Sequence, residues 1–241
     1  MKITPALAAA LALSAAAVLG TAAPATATAT AVSPGSSSGT APGTAPGTAV
    51  DPLERFRRQP LAWSPCQEPE LAAAGAQCAA LSVPLDYRDP RGRTLSLAVS
   101  RIKAADPAGR RGILQTNPGG PGESGLAMPV ALREQLAPAT AAAYDLIGMD
   151  PRGTGAGTPD CGLTRGSWLR SAGPGQAGFD QAWLLAKADA DACWAKHPGL
   201  LPHLTTLNTA RDVDVLRAAL GEQRTSFFGQ SYGGLLGAVY A

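Results

Sequence analysis

Aromatic side chains make up 5% of this 241-residue chain, and lysine is sparser still, occurring at Lys2, Lys103, Lys187 and Lys196 alone. Histidine occurs twice, at His197 and His203. The formal net charge of +2 is too small and too evenly spread for a nucleic-acid surface or a polybasic membrane patch. Beyond the first 20 residues no apolar run could cross a bilayer. Cys66, Cys78, Cys161 and Cys193 lie too far apart for a Cys-x-x-Cys metal or redox motif. No ligand cluster points to a metal, and no cofactor is expected. What the chain does have is abundant Ala, Gly and Pro with 45% hydrophobic residues, a globular composition for one or two domains.

The first segment reads as an export signal. Lys2 supplies a positive start, Ala6 to Leu19 is uncharged and mostly apolar, and small-residue sites follow at Ala25-Thr26-Ala27 and Ala27-Thr28-Ala29. The expected division is a secretory signal over residues 1–29, a disordered linker over 30–50, and a folded domain over 51–241. In the linker, Ala41-Pro42-Gly43-Thr44 repeats at once as Ala45-Pro46-Gly47-Thr48, with nothing to bury. A secreted protein matures in an oxidising compartment, where an even set of cysteines suits two disulfides. Three pairings are possible. Neighbours are expected to pair, Cys66 with Cys78 and Cys161 with Cys193, against the alternative of four buried free thiols. No membrane association is expected once the signal is cleaved.

In the folded region, Ala79 to Tyr87 and Arg93 to Ile102 read as an antiparallel hairpin at a sheet edge, with Pro84 marking the edge strand. A buried-type strand over Gly112 to Thr116 leads into a glycine-rich loop, then a helix over Met128 to Leu136. Tyr144 to Asp150 is a further strand. From Phe179 to Lys196, Phe179, Trp183, Ala186, Ala190 and Cys193 recur at helical spacing and predict one buried face. Thr209 with Asp212 resembles a capping box for a helix over Ala210 to Leu220, stopped by Gly221. Strands alternating with helices predict an α/β fold with a mostly parallel sheet.

Ser226 to Gly237 is the stretch that carries chemistry. It reads as a short strand, a turn with Ser231 at its apex between Gly229 and Gly233, and a small-residue helix. Such a Gly-x-Ser-x-Gly turn presents a serine on a backbone too sharply bent to admit side chains on either flank. The pattern alone is weak, since Gly35-Ser36-Ser37-Ser38-Gly39 matches it too. Context selects Ser231, because only there does a strand precede and a helix follow. A serine nucleophile needs a base, an orienting acid and donors for the developing oxyanion. The donors are legible: the backbone N–H of Tyr232, and a second N–H from Gly119 or Gly120 in the loop Asn117-Pro118-Gly119-Gly120-Pro121-Gly122.

Four blocks then carry a family resemblance: Cys78 to Tyr87, Asn117 to Gly122, Asp145 to Gly153, and Gly229 to Gly233. Together they resemble secreted α/β-hydrolase-fold serine peptidases, and more narrowly the actinobacterial tripeptidyl aminopeptidases and their prolyl aminopeptidase relatives. The resemblance implies an α/β-hydrolase fold, here its N-terminal half, and a peptide substrate trimmed from its free N-terminus. It also implies a triad in the order Ser, Asp, His. The last two are not found, because the sequence runs ten residues past Ser231 without Asp, Glu or His. The expectation is therefore an N-terminal fragment, inactive alone, of an aminopeptidase-type serine hydrolase. His197 and His203 are read as structural, and Asp150 and Arg152 as scaffold. Two other readings stand beside it: an esterase or lipase-like hydrolase on the same scaffold, and an exported remnant without catalysis.

Overall fold

The computed structural model describes residues 51–163 and 172–241. The expected signal over 1–29, the linker over 30–50 and the second serine motif at Gly35–Gly39 lie outside the described residues. Six strands form one sheet: β1 (Ser64–Pro65), β2 (Gln77–Pro84), β3 (Thr94–Ile102), β4 (Ile113–Asn117), β5 (Asp145–Met149) and β6 (Ser226–Gly229). Their spatial order is β1-β2-β3-β5-β4-β6. β1 with β2, β2 with β3 and β3 with β5 pair antiparallel, while β5, β4 and β6 run parallel. β1 covers only the first two residues of β2, so β2 is the outermost strand from Ala79 onward. Pro84 closes β2 at its last position opposite Thr94, and the Leu85 N–H just beyond it donates to the Arg93 carbonyl at 2.8 Å.

Strand alternation divides the core in two. Ile147 packs on one face with Phe56, Val99, Val213, Leu216 and Leu236, whereas its neighbour Leu146 packs on the other with Cys66, Leu71, Ala76 and Ile102. The first face is covered by α1 (Glu54–Arg57), α6 (Thr206–Ala219) and α7 (Tyr232–Tyr240). The second is covered by α2 (Pro69–Ala73) and α3 (Met128–Gln135). A short α4 (Pro138–Ala143) leads into β5, and α5 (Gln176–Lys196) lies between β5 and α6 in sequence. Two disulfides join Cys66 to Cys78 and Cys161 to Cys193, the neighbour pairing.

Two expectations require correction. The helix expected from Phe179 is present and begins at Gln176, but its apolar stripe is not buried: Phe179 is 58% and Trp183 64% exposed, Ala186 and Ala190 are exposed, and Cys193 is half-buried in its disulfide. Ala, Leu and Lys give this segment strong helix propensity. Periodicity reports an amphipathic helix without reporting whether a surface exists to cover it. The second correction concerns α6, which starts at Thr206 rather than Ala210. The Thr205 hydroxyl is the cap, accepting the Asn208 N–H at 3.2 Å. Thr209 and Asp212 lie inside the helix and are buried. The Thr209 hydroxyl donates to the Thr205 carbonyl at 3.1 Å, and Asp212 turns inward.

Candidate active site

β6 ends at Gly229, pairs in parallel register with Asn117 at the end of β4, and turns at once into α7. The turn places Ser231 at φ 51° and ψ −123°, and among the described residues no other non-glycine has a positive φ. That conformation is costly for an L-residue and persists only where the surroundings impose it. They do so by close backbone crossing. The Gln230 N–H donates to the Asn117 carbonyl at 3.1 Å, and the Gly233 N–H donates to the Gln230 carbonyl at 2.7 Å. A Cβ at Gly229 would collide with the Gly233 carbonyl, and one at Gly233 would sit 2.5 Å from the Asn117 carbonyl oxygen. Both glycines flanking Ser231 are thus required by contact. The hydroxyl-bearing residue is exposed to solvent.

The loop after β4 lies against this turn. A Cβ built on Gly119 would be 2.5 Å from the Gln230 carbonyl oxygen, 3.0 Å from the Ser231 Cβ and 3.2 Å from the Tyr232 nitrogen. The structure therefore packs Gly119 against the turn of Ser231 and Tyr232, while Gly120, the next residue, faces the Gly122 and Glu123 backbone. It also separates the two glycines. The Gly119 N–H is held by the buried Asn117 side chain, donating to its Oδ1 at 3.0 Å. The N–H groups of Gly120 and Tyr232 carry no hydrogen bond among the described residues. An unengaged N–H at Tyr232, next in the chain to an exposed serine, is the kind of donor that can stabilise an anionic tetrahedral oxygen. Sequence reasoning quoted Asn117 but missed its role. An Asn followed two residues later by a glycine is the signal of an Asx turn, in which the side-chain oxygen takes that N–H.

The surrounding scaffold is polar and buried. Asp150 follows β5 and accepts the Ser124 hydroxyl at 2.6 Å and the Gly125 N–H at 3.0 Å, which pins the far end of the glycine-rich loop. Arg152 and Asp212 form an ion pair with both side chains 0% exposed. Arg152 Nε donates to Asp212 Oδ2 at 2.8 Å and Nη2 to Oδ1 at 2.7 Å. The remaining guanidinium hydrogens reach the carbonyls of Pro84, Leu85 and His203. The Tyr87 hydroxyl donates to Asp212 Oδ1 at 2.7 Å. Burial pushes the Asp212 carboxyl up, while the Arg152 fork and the Tyr87 hydroxyl pull the other way. Burial first, and then the Asp212 charge, raise the Tyr87 phenol far above its ordinary value. The Tyr232 hydroxyl donates to Thr206 Oγ1 at 2.9 Å, tying the start of α7 to the first turn of α6.

Neither histidine reaches the serine. The His197 ring bonds the Asp160 carbonyl through Nε2 at 2.8 Å, and the His203 carbonyl serves Arg152 and Asn208. No imidazole or carboxylate is hydrogen-bonded to Ser231 among the described residues. No group of three His, Cys, Asp or Glu side chains converges for a metal among them.

Comparison with known proteins agrees with this geometry. The family model described as alpha/beta hydrolase fold matches residues 116–241. The chain is 40% identical over 194 residues to a tripeptidyl aminopeptidase of Streptomyces lividans, covering 77% of this chain and 36% of the relative. It is 34% identical over 194 residues to serine protease Hip1 of Mycobacterium tuberculosis (76% of this chain, 37% of the relative). A further match, 33% identical over 171 residues, is to carboxylesterase B of the same species (66% and 32%). The chain thus spans about a third of the length of the curated relatives it matches.

Proposed function

The chain belongs to the alpha/beta hydrolase fold family, and on that premise we propose that it carries Ser231 as the nucleophile of a secreted serine exopeptidase. The observation that carries this reading is the positive φ of Ser231 at a strand-to-helix turn, with the unengaged N–H of Tyr232 next to it and the glycine-rich loop resting on the turn through Gly119. In the proposed reaction the Ser231 hydroxyl oxygen attacks a peptide carbonyl, and the resulting oxyanion is held by the N–H groups of Tyr232 and Gly120. The leaving amine departs with a proton and water releases the acyl group. Gly119 has a positioning part, as the contact between loop and turn. The substrate is a peptide with a free N-terminus, shortened by single residues or short peptides, in line with the aminopeptidase named among the relatives. The two disulfides support export. The base and orienting acid have no counterpart in contact with Ser231 among the described residues, so residues 1–241 alone are expected to be inactive. Loss of the base can cost on the order of 10⁶ in kcat.

A fluorophosphonate probe applied to the protein secreted by its natural host tests the assignment. Labelling at Ser231 that vanishes in Ser231→Ala is expected. An unlabelled, folded protein would instead mean a non-catalytic exported remnant. The similarity to carboxylesterase B favours one second reading, an esterase on the same scaffold. Ester turnover with no release from free-amine peptide anilides would establish that reading and end the peptidase one.

A further inference from the structure

A cavity of about 250 Å³ opens between α1, the turn after β2, and α6. None of its lining residues belongs to the Ser231 turn or the glycine-rich loop. Three arginines line it, Arg57, Arg88 and Arg211, with Asp214 as the one acidic residue in the lining. The Asp214 carboxylate is already paired with Arg217 at 2.8 Å. Arg57 and Arg88 hold surface pairs with Asp51 at 2.6 Å and Asp86 at 3.0 Å. Such exposed pairs are weak and exchange partners readily. Arg211 has no carboxylate partner among the described residues. It is oriented by the Asn208 side-chain oxygen at 2.9 Å and lies over the Tyr87 ring at 5.6 Å. The Tyr87 ring is itself fixed, because its hydroxyl is locked to the buried Asp212. Leu53, Val215 and the Tyr87 ring supply apolar wall.

A preoriented, uncompensated guanidinium with two more arginines lining the same concavity is a receptor for a planar oxyanion, which an arginine fork grips in bidentate fashion. The apolar wall adds a requirement for a hydrophobic body beside the anionic head. The volume falls below the range of drug-sized sites, about 300–1,000 Å³, so the ligand is small. We propose that this cavity binds a small carboxylate with an aliphatic body, such as a free N-acylated amino acid or the C-terminal residue of a peptide.

The experiment is calorimetric titration of the 241-residue chain at pH 7, in a buffer free of competing oxyanions, with N-acetyl-leucine, N-acetyl-leucinamide and inorganic phosphate. Saturable binding of the acid is expected, at least ten-fold tighter than the neutral amide and than phosphate. Arg211→Gln is expected to weaken binding of the acid at least ten-fold. Arg88→Gln, an exposed position with no part in the core, is expected to weaken it several-fold. Ser231→Ala is expected to bind as the parent does, which separates this site from the proposed catalytic one. Equal binding of acid and amide, equal binding of phosphate, or unchanged affinity in both arginine variants (folded by circular dichroism) would each overturn the proposal.

Discussion

Asp212→Asn strikes the most concentrated set of interactions in the molecule. The Asp212 carboxylate takes both arms of the Arg152 fork at 2.8 and 2.7 Å and the Tyr87 hydroxyl at 2.7 Å, with no solvent reaching either charged side chain. The amide matches the carboxylate in shape but cancels its charge, and it turns an NH₂ toward a donor on at least one side. Arg152 cannot escape, since its other hydrogens hold Pro84, Leu85 and His203. Breaking a buried pair from one side costs about 3–5 kcal/mol, a large part of the roughly 5–15 kcal/mol that keeps a domain folded. At about 2–4 °C per kcal/mol for a domain of this size, the melting temperature should fall by about 10 °C. Tyr87→Phe removes one hydrogen bond to the charged group, about 1.5–3 kcal/mol, and should rank below it. Urea unfolding of the chain followed by circular dichroism reads both. An Asp212→Asn variant within 1 kcal/mol of the parent, on the scale of an ordinary surface substitution, would refute the reasoning, as would Tyr87→Phe proving the more damaging change.

Alkaline stability reports on Tyr87. Its phenol is raised by burial above the ordinary 10.0, so the folded chain keeps a proton that the unfolded chain loses, and stability falls above about pH 10. The slope is about 1.4 kcal/mol per pH unit. Tyr87→Phe should flatten it, and identical slopes would contradict the assignment. Gly119→Ala places a Cβ 2.5 Å from the Gln230 carbonyl oxygen at a φ of +104°. A loss of about 2 kcal/mol in the same denaturation assay is expected, and a neutral variant would mean that the loop does not rest on the turn. Removing the Cys66–Cys78 disulfide, with its sequence separation of 12, should cost about 3 kcal/mol by chain entropy. A double alanine variant that unfolds at the parent's midpoint would show otherwise. Trp183→Gln on α5 should change stability by less than about 0.5 kcal/mol, because Trp183 is 64% exposed. A loss of several kcal/mol would instead show that the stripe is packed.

Local chemistry made much of the molecule legible in the sequence. β4, β5 and β6 are short apolar runs punctuated by glycine or proline, so their places were evident within a residue or two. The turn at Ser231 was selected because glycines at Gly229 and Gly233 serve a backbone crossing that strand and helix impose together. Spacing excluded a Cys-x-x-Cys motif but left three cysteine pairings open, and the fold selects the neighbour pairing. Three features depended on long-range contact, which no local pattern records. Asp212 has the spacing of a capping residue, yet its partners are 60 positions earlier at Arg152 and 125 earlier at Tyr87. Gly119 and Gly120 are equivalent as letters, and only the Asn117 side chain distinguishes the N–H that is engaged from the one left free. The α5 stripe has the periodicity of a core helix, but burial needs a facing surface, and its exposure was decided by what the rest of the fold brings near. Sequence by itself determined the central strands, the long helices within a turn and the serine turn, because these arise from torsional and short-range preferences. Tertiary structure decided which charges pair, how the glycine-rich loop rests on the serine turn and which apolar face meets water, because each depends on atoms far apart in the chain.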